Sequence, residues 1–301
     1  MNVVDKLVGL IRETSSSLPA DVIKALKAAQ RKERKGSSAA VVLRTILDNC
    51  AIAAKRGTPL CQDTGTLTFF VDERLRRRVT PAVIKKAVAL ATGKGYLRKN
   101  TIDAITGKSY DDNCALGAPV IHYVERRKEK GERRKCGGTL LLKGGGSENM
   151  SRQYSLPDAA LGAGRDLEGV RKCILDAVQK IQGYGCAPGI LGVCVGGDRA
   201  TGYEVAKEQL LRPLGEVEKL RSCEVEKSSA SQPLNLSTSQ LLNLENRLLK
   251  EANSLGIGPM GLGGKTTLLG VKIAARPRVP ASFFVTIAYM CWAARRQTIE
   301  L

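Results

Sequence analysis

The sequence predicts an α/β fold of mixed (α+β) order: a helical N-terminal region, followed by interspersed strands and helices. Three observations carry the prediction. The first 56 residues space their apolar positions as helices do and offer caps between them. Apolar runs at 67–71, 190–195 and 285–290 have the length of buried strands and adjoin turn-forming or polar residues. Helical stretches fall between those runs instead of in a separate block. With 301 residues there is ample chain for a core, read here as one domain over 1–301.

Taken in order, Ala20-Asp21 is a plausible cap before Val22, Ile23 and Leu26, and Ser37 or Ser38 starts a second helix that ends near Gly57-Thr58-Pro59. The polar turn Cys61-Gln62-Asp63-Thr64-Gly65 then enters the strand at 67–71. Such a turn has an ordinary structural explanation, but a thiol, an amide, a carboxylate and a hydroxyl in succession are also what a catalytic loop carries. Thr80-Pro81 opens a helix, with proline where its missing N–H costs least. Residues 94–116 read as a long polar loop, and loops of that length inside a domain are often functional. Strand-like runs follow at 118–124 and 139–142. After them Gly144-Gly145-Gly146 is either a flexible turn or a set of amides open to an anion.

An amphipathic helix fits 166–182 and is closed by Gly183 and Gly185. Cys186-Ala-Pro-Gly189 then leads into 190–195, repeating the arrangement of a cysteine turn before a buried strand. A helix is expected at about 201–211, and the polar segment 214–238 reads as a surface insertion or linker. The helix at 239–254 ends at Gly256. Gly256-Ile-Gly-Pro-Met-Gly261 matches a dinucleotide fingerprint by letter only, because it follows a helix and contains Pro259. Gly264-Lys265-Thr266 likewise lacks the glycine a phosphate loop needs, since Pro259 stands there.

Composition narrows the function. The net charge of +19 attracts anions: nucleic acid, acidic partners or dianionic substrates. It is clustered at Arg74 and Arg76 to Arg78, and at Arg126, Arg127, Lys128, Lys130, Arg133, Arg134 and Lys135. The second group reads first as a solvated surface loop. A basic nucleic-acid-binding protein without catalysis is the reading from another class, but aromatics are only 4% and do not interleave with the charges. No apolar stretch is long enough to span a bilayer and the N-terminus has no apolar signal centre, so a soluble, cytoplasmic protein is expected. Nine widely spaced cysteines without a CxxC pair argue against a disulfide framework and against a zinc ribbon. The single histidine, His122, lies in a strand-like run and reads as structural, which leaves little room for histidine-based catalysis.

Four stretches carry a resemblance. They are Cys61-Gln-Asp-Thr-Gly65, Gly144-Gly-Gly-Ser-Glu-Asn-Met150, Gly256-Ile-Gly-Pro-Met-Gly-Leu-Gly-Gly264 and Cys291-Trp-Ala-Ala-Arg-Arg296. In this order they resemble the iron–sulfur hydro-lyases, the class I fumarases and L-tartrate dehydratases, and in particular the separate α subunit of two-subunit members. The resemblance implies a [4Fe–4S] cluster held by Cys61, Cys186 and Cys291, with one iron not ligated by protein and open as a Lewis acid. Cys194, inside an apolar strand, and Cys114, with no matching family word, are weaker alternatives. It further implies substrate contacts from Gln62, Asp63, Arg98 and the amides of Gly144, Gly145 and Gly146, with Asp63 in proton transfer. The implied reaction is the reversible hydration of fumarate to (S)-malate, or dehydration of L-tartrate. A separate β subunit, in an α2β2 assembly, would carry the remaining catalytic groups. Two departures stand out: Val279-Pro280 occupies the place where family members commonly carry a histidine, and the 214–238 segment is longer than expected.

Overall fold

A computed structural model describes residues 2–125, 136–215 and 238–301. The basic run at 126–135 and most of the polar segment at 214–238 lie outside the described residues. The chain divides into two compact units. Unit 1 is Met1–Ala20, Ile46–Gly145 and Ala293–Leu301; unit 2 is Asp21–Thr45 and Gly146–Trp292.

Unit 1 is a four-stranded sheet with helices α1 (Val3–Ser16) and α4 (Pro81–Gly93) on one face. The Asn2 side chain accepts the Asp5 N–H at 2.8 Å and starts α1. The Thr80 hydroxyl accepts the Val83 N–H and, with Pro81, starts α4 as the sequence indicates. Strands β1 (Thr66–Asp72), β2 (Val120–Val124), β3 (Gly137–Lys143) and β8 (Arg295–Glu300) are ordered β2-β1-β3-β8. β1 runs parallel to β2, and β3 runs antiparallel to both β1 and β8. Strand alternation puts Leu67, Phe69, Val71, Leu140 and Leu142 against Leu7, Ile11, Ile84 and Val88. Each such side chain stabilises by roughly 1.5–3 kcal/mol when fully buried. On the other face His122 stacks on Phe70, rings 5.1 Å apart, in the structural role expected of it.

Unit 2 holds α2 (Ala20–Lys32), the start of α3 (Ser38–Arg56), the one-turn helix α5 (Gly145–Asn149), α6 (Leu167–Ile181), α7 (Arg199–Gln209) and α8 (Thr238–Ser254). Its sheet is ordered β4-β7-β5-β6, from β4 (Arg152–Ser155), β5 (Gly189–Gly196), β6 (Leu268–Arg276) and β7 (Phe284–Met290). Asp166 and Asp198 cap α6 and α7 by accepting the Gly169 and Ala200 N–H groups at 2.7 and 2.8 Å. α6 and α8 bury Val170, Ile174, Leu248 and Ala252 against Leu191, Val193, Ile273 and Ile287. α7 covers the opposite face at very short range: a Cβ on Gly192 would stand 2.0 Å from the Ala206 carbonyl oxygen.

Three strands were not expected from the sequence. β4 is only four residues long, β6 is interrupted by Gly270 and Lys272, and β8 reads Arg-Arg-Gln-Thr-Ile-Glu. Pairing with β3, not apolar alternation, makes β8 a strand. The glycine triplet is also not a loose turn, because Gly145 opens α5. Arg74 and Arg76 are tied to Asp72 and Glu73, so the first basic group is partly structural. Among the described residues no helix is long and apolar enough to cross a membrane.

Candidate functional site

The sheet register gathers the motif residues of each unit at one end of its sheet. In unit 1, Thr66 opposes Lys143, so the start of β1 and the end of β3 lie side by side. The Cys61–Gly65 turn therefore meets Gly144 and Gly145. Gly65 has φ +79°, and a Cβ there would fall 2.5 Å from the Lys143 carbonyl, so glycine is required. Asp63 accepts the Gly145 N–H at 2.7 Å and is approached by the Asn100 amide at 3.4 Å. The Gly145 amide is thus taken up by Asp63. A Cβ on Gly144 would come 2.7 Å from the same carboxylate oxygen. Buried Thr64 accepts the Arg98 N–H at 3.2 Å. Gln62 and Arg98 are exposed, Cys61 and Asp63 half-buried. The Arg98 guanidinium makes no hydrogen bond or ion pair among the described residues.

Arg98 and Asn100 are held by a residue that sequence reasoning missed. Asn113 is buried at 2% exposure with φ +59°. Its side-chain oxygen accepts the N–H groups of Asn100 and Thr101 at 2.9 and 3.0 Å. Its amide donates to the Thr92 hydroxyl and the Arg98 carbonyl at 3.0 and 2.8 Å. One side chain thereby fixes the backbone of the 98–101 segment. An asparagine in a polar loop gives only a weak signal of this.

In unit 2, β5 and β7 are antiparallel with Ile190 opposite Met290, so Cys186 and Cys291 come to the same sheet end. The Trp292 N–H donates to the Cys186 carbonyl at 3.3 Å, joining the two turns. Cys186 is exposed with φ +53°, Cys291 half-buried. Ser147, at 3% exposure, accepts the Cys291 N–H at 3.1 Å, and Ser151 accepts the Tyr289 N–H at 3.2 Å. The serines after the glycine triplet thus hold the end of β7. Gly146 itself is exposed. The glycine-rich segment is stapled to the same end: Met260 N–H donates to the Ala187 carbonyl at 2.9 Å, and Lys265 N–H to Glu33 at 2.8 Å. Neither a dinucleotide nor a phosphate loop is formed.

The other cysteines separate by environment. Burial pushes the thiols of Cys50 and Cys194 up to about 11 and that of Cys173 up to about 12, which keeps them protonated. Burial and then the Asp112 carboxylate raise Cys114, whose thiol donates to the Lys85 carbonyl at 3.4 Å. Among the described residues no three His, Cys, Asp or Glu side chains stand together as a preformed metal site. Val279 is exposed at 64%, in a loop organised by Arg278, which donates to the Val279, Pro280 and Ser282 carbonyls.

A family model described as fumarate hydratase (fumerase) matches residues 4–300, and the chain belongs to that family. A Geobacillus stearothermophilus protein assigned by name to fumarate hydratase class I is 43% identical over 302 residues, covering 99% of this chain and 54% of its own. The chain therefore spans about half the length of that relative. A Methanocaldococcus jannaschii protein assigned by name to L(+)-tartrate dehydratase subunit alpha is 32% identical, covering 98% of this chain and 96% of its own. The L(+)-tartrate dehydratase subunit alpha of Escherichia coli K12 is 28% identical, with 95% and 86% covered.

Proposed function

We propose that the chain is the α subunit of a cytoplasmic iron–sulfur hydro-lyase that interconverts fumarate and (S)-malate with a separate β subunit, as α2β2. The observation that carries the reading is the match of the fumarate hydratase family over residues 4–300. The donor set is compatible with it: among the described cysteines Cys61, Cys186 and Cys291 are partly or fully exposed, as are Cys114 and Cys136, whereas Cys50, Cys173 and Cys194 are buried. The reading takes Cys61, Cys186 and Cys291 as the ligands of a [4Fe–4S] cluster with one iron free of protein ligands. Bound there, such a cluster supplies a Lewis-acid position for the substrate hydroxyl and carboxylate.

The chain's own residues do the rest. Asp63, oriented by the Gly145 amide, moves the proton or fixes the substrate hydroxyl. The Arg98 guanidinium, unpaired among the described residues, binds a substrate carboxylate, with Gln62 and the glycine turn at Gly144 to Gly146 as further substrate contacts. A second reading, L-tartrate dehydration, is supported by the two relatives named as L(+)-tartrate dehydratase subunit alpha, at 32% and 28% identity.

The test is an anaerobic assay of the reconstituted chain, alone and with its β partner, on malate and on L-tartrate. Malate turnover only with the partner, and an Asp63→Asn variant at least about 100-fold slower with iron content unchanged, are expected. Faster turnover of tartrate would move the assignment to the second reading. Efficient turnover by the chain alone would remove the partner from the proposal.

A further inference from the structure

Tyr289 is the least explained side chain near the two cysteines of unit 2. It is 1% exposed, and its hydroxyl has no hydrogen-bond partner among the described residues. Buried hydroxyls are almost always bonded, so an orphan calls for a physical reason. Packing is not the reason. A phenylalanine would bury the same ring without the lone donor, and the ring itself is held on two sides. A Cβ on Gly185 would lie 2.4 Å from one ring edge, and a Cβ on Gly189 would lie 2.3 Å from the other and 2.4 Å from the hydroxyl oxygen. The two glycines that flank Cys186 are thus the positions that admit this ring. Tyr289 also precedes Cys291 by two residues, and it pairs with Leu191 near the start of β5.

We propose that the Tyr289 hydroxyl donates a hydrogen bond to a sulfur atom of the iron–sulfur group held by Cys186 and Cys291. Tyr289 is then a positioning residue that tunes that group's reduction potential. This rests on the iron–sulfur reading above. Sulfide and thiolate sulfurs are acceptors, and hydrogen bonds to them are one of the means by which a protein sets a cluster's potential. The phenol hydroxyl is a ready hydrogen-bond donor. Net electron density placed on sulfur by reduction strengthens a bond from such a donor, so the hydroxyl favours the reduced state. No bond is made or broken in this role.

The experiment compares the full-length chain with a Tyr289→Phe variant, each reconstituted anaerobically with iron and sulfide and titrated by EPR-monitored redox potentiometry. Equal iron content is expected, with the variant's potential more negative. At a fixed poise, its reduced-to-oxidised ratio should be about three- to tenfold lower. The urea midpoint of the metal-free variant should equal or exceed that of the metal-free parent, because the hydroxyl has no partner among the described residues to lose. A variant with full iron and an unchanged potential would overturn this inference alone. A metal-free variant that loses stability would overturn it too, by revealing an internal partner. A parent chain that takes up no cluster would overturn the iron–sulfur reading, and this inference with it.

Discussion

The turns at Cys61 and Cys186 share a sequence pattern, a cysteine before a buried strand, yet they are held by different forces. The Cys61 turn in unit 1 is clasped by polar bonds: Asp63 to the Gly145 amide, Thr64 to the Arg98 amide, Asn113 behind both. The Cys186 turn in unit 2 is clasped by packing, with an aromatic ring pressed between Gly185 and Gly189. A hydrogen-bonded turn presents oriented carboxylate and amide groups. A packed turn presents an exposed thiol on a stiff, dry base.

The comparison can be broken from either side. Gly65→Ala should do most damage, about 4 kcal/mol, since it adds left-handed strain to a 2.5 Å approach on backbone. Gly189→Ala should cost about 3 kcal/mol by overpacking, both read from urea denaturation. The two differ in remedy. Trimming the ring, Tyr289→Leu, should recover much of the Gly189→Ala loss and none of the Gly65→Ala loss. Non-additivity for the Gly65 pair would contradict the separation of the two clasps.

Asn113→Ala comes next, at about 2 kcal/mol, because it leaves two backbone N–H groups without their acceptor. Its larger mark should be on the KM for dicarboxylate, since it frees the Arg98 segment.

Alkaline pH gives a smaller, graded contrast. The folded values of Cys50, Cys173 and Cys194 lie above the ordinary 9.0, so the folded state holds protons that the unfolded state has released. Stability is full below about pH 9 and falls as pH rises toward 11–12, by up to about 1.4 kcal/mol per pH unit for each thiol. Unit 2 carries two of the three, so hydrogen exchange at pH 10 should open unit 2 before unit 1. At the bottom of the scale, Arg76→Ala should lower the denaturation midpoint only slightly, by about 1 kcal/mol or less, because the Glu73 pair is exposed and the remaining contact is a stack over the Tyr123 ring.

Local signals explain what was legible. Thr80-Pro81 marks a helix start by chemistry within one turn of the chain and caps α4, whereas Ala20 and Asp21 lie within the first turn of α2 and Asp21 accepts the Leu214 N–H at 2.7 Å instead of capping. β8 was illegible because Arg295 and Arg296 are buried by pairing with β3, more than 150 residues away in sequence. The same division runs through the candidate site. The cysteine turns and Asp63 announce themselves as contiguous motifs. Ser147 supports Cys291 across 144 residues, and Tyr289 comes against Gly185 and Gly189 only through the register of β5 with β7. Asn113 lies within a loop whose polar residues look alike until the buried one is known.

The proposed function requires that Cys61, Cys186 and Cys291 hold a single cluster. Iron and sulfide counting on the anaerobically reconstituted chain tests it most directly. The account predicts about four irons per chain in the parent and in Cys194→Ala, and loss of the cluster in Cys61→Ala, Cys186→Ala and Cys291→Ala alike. A full cluster in any of those three variants, or its loss in Cys194→Ala, would contradict it.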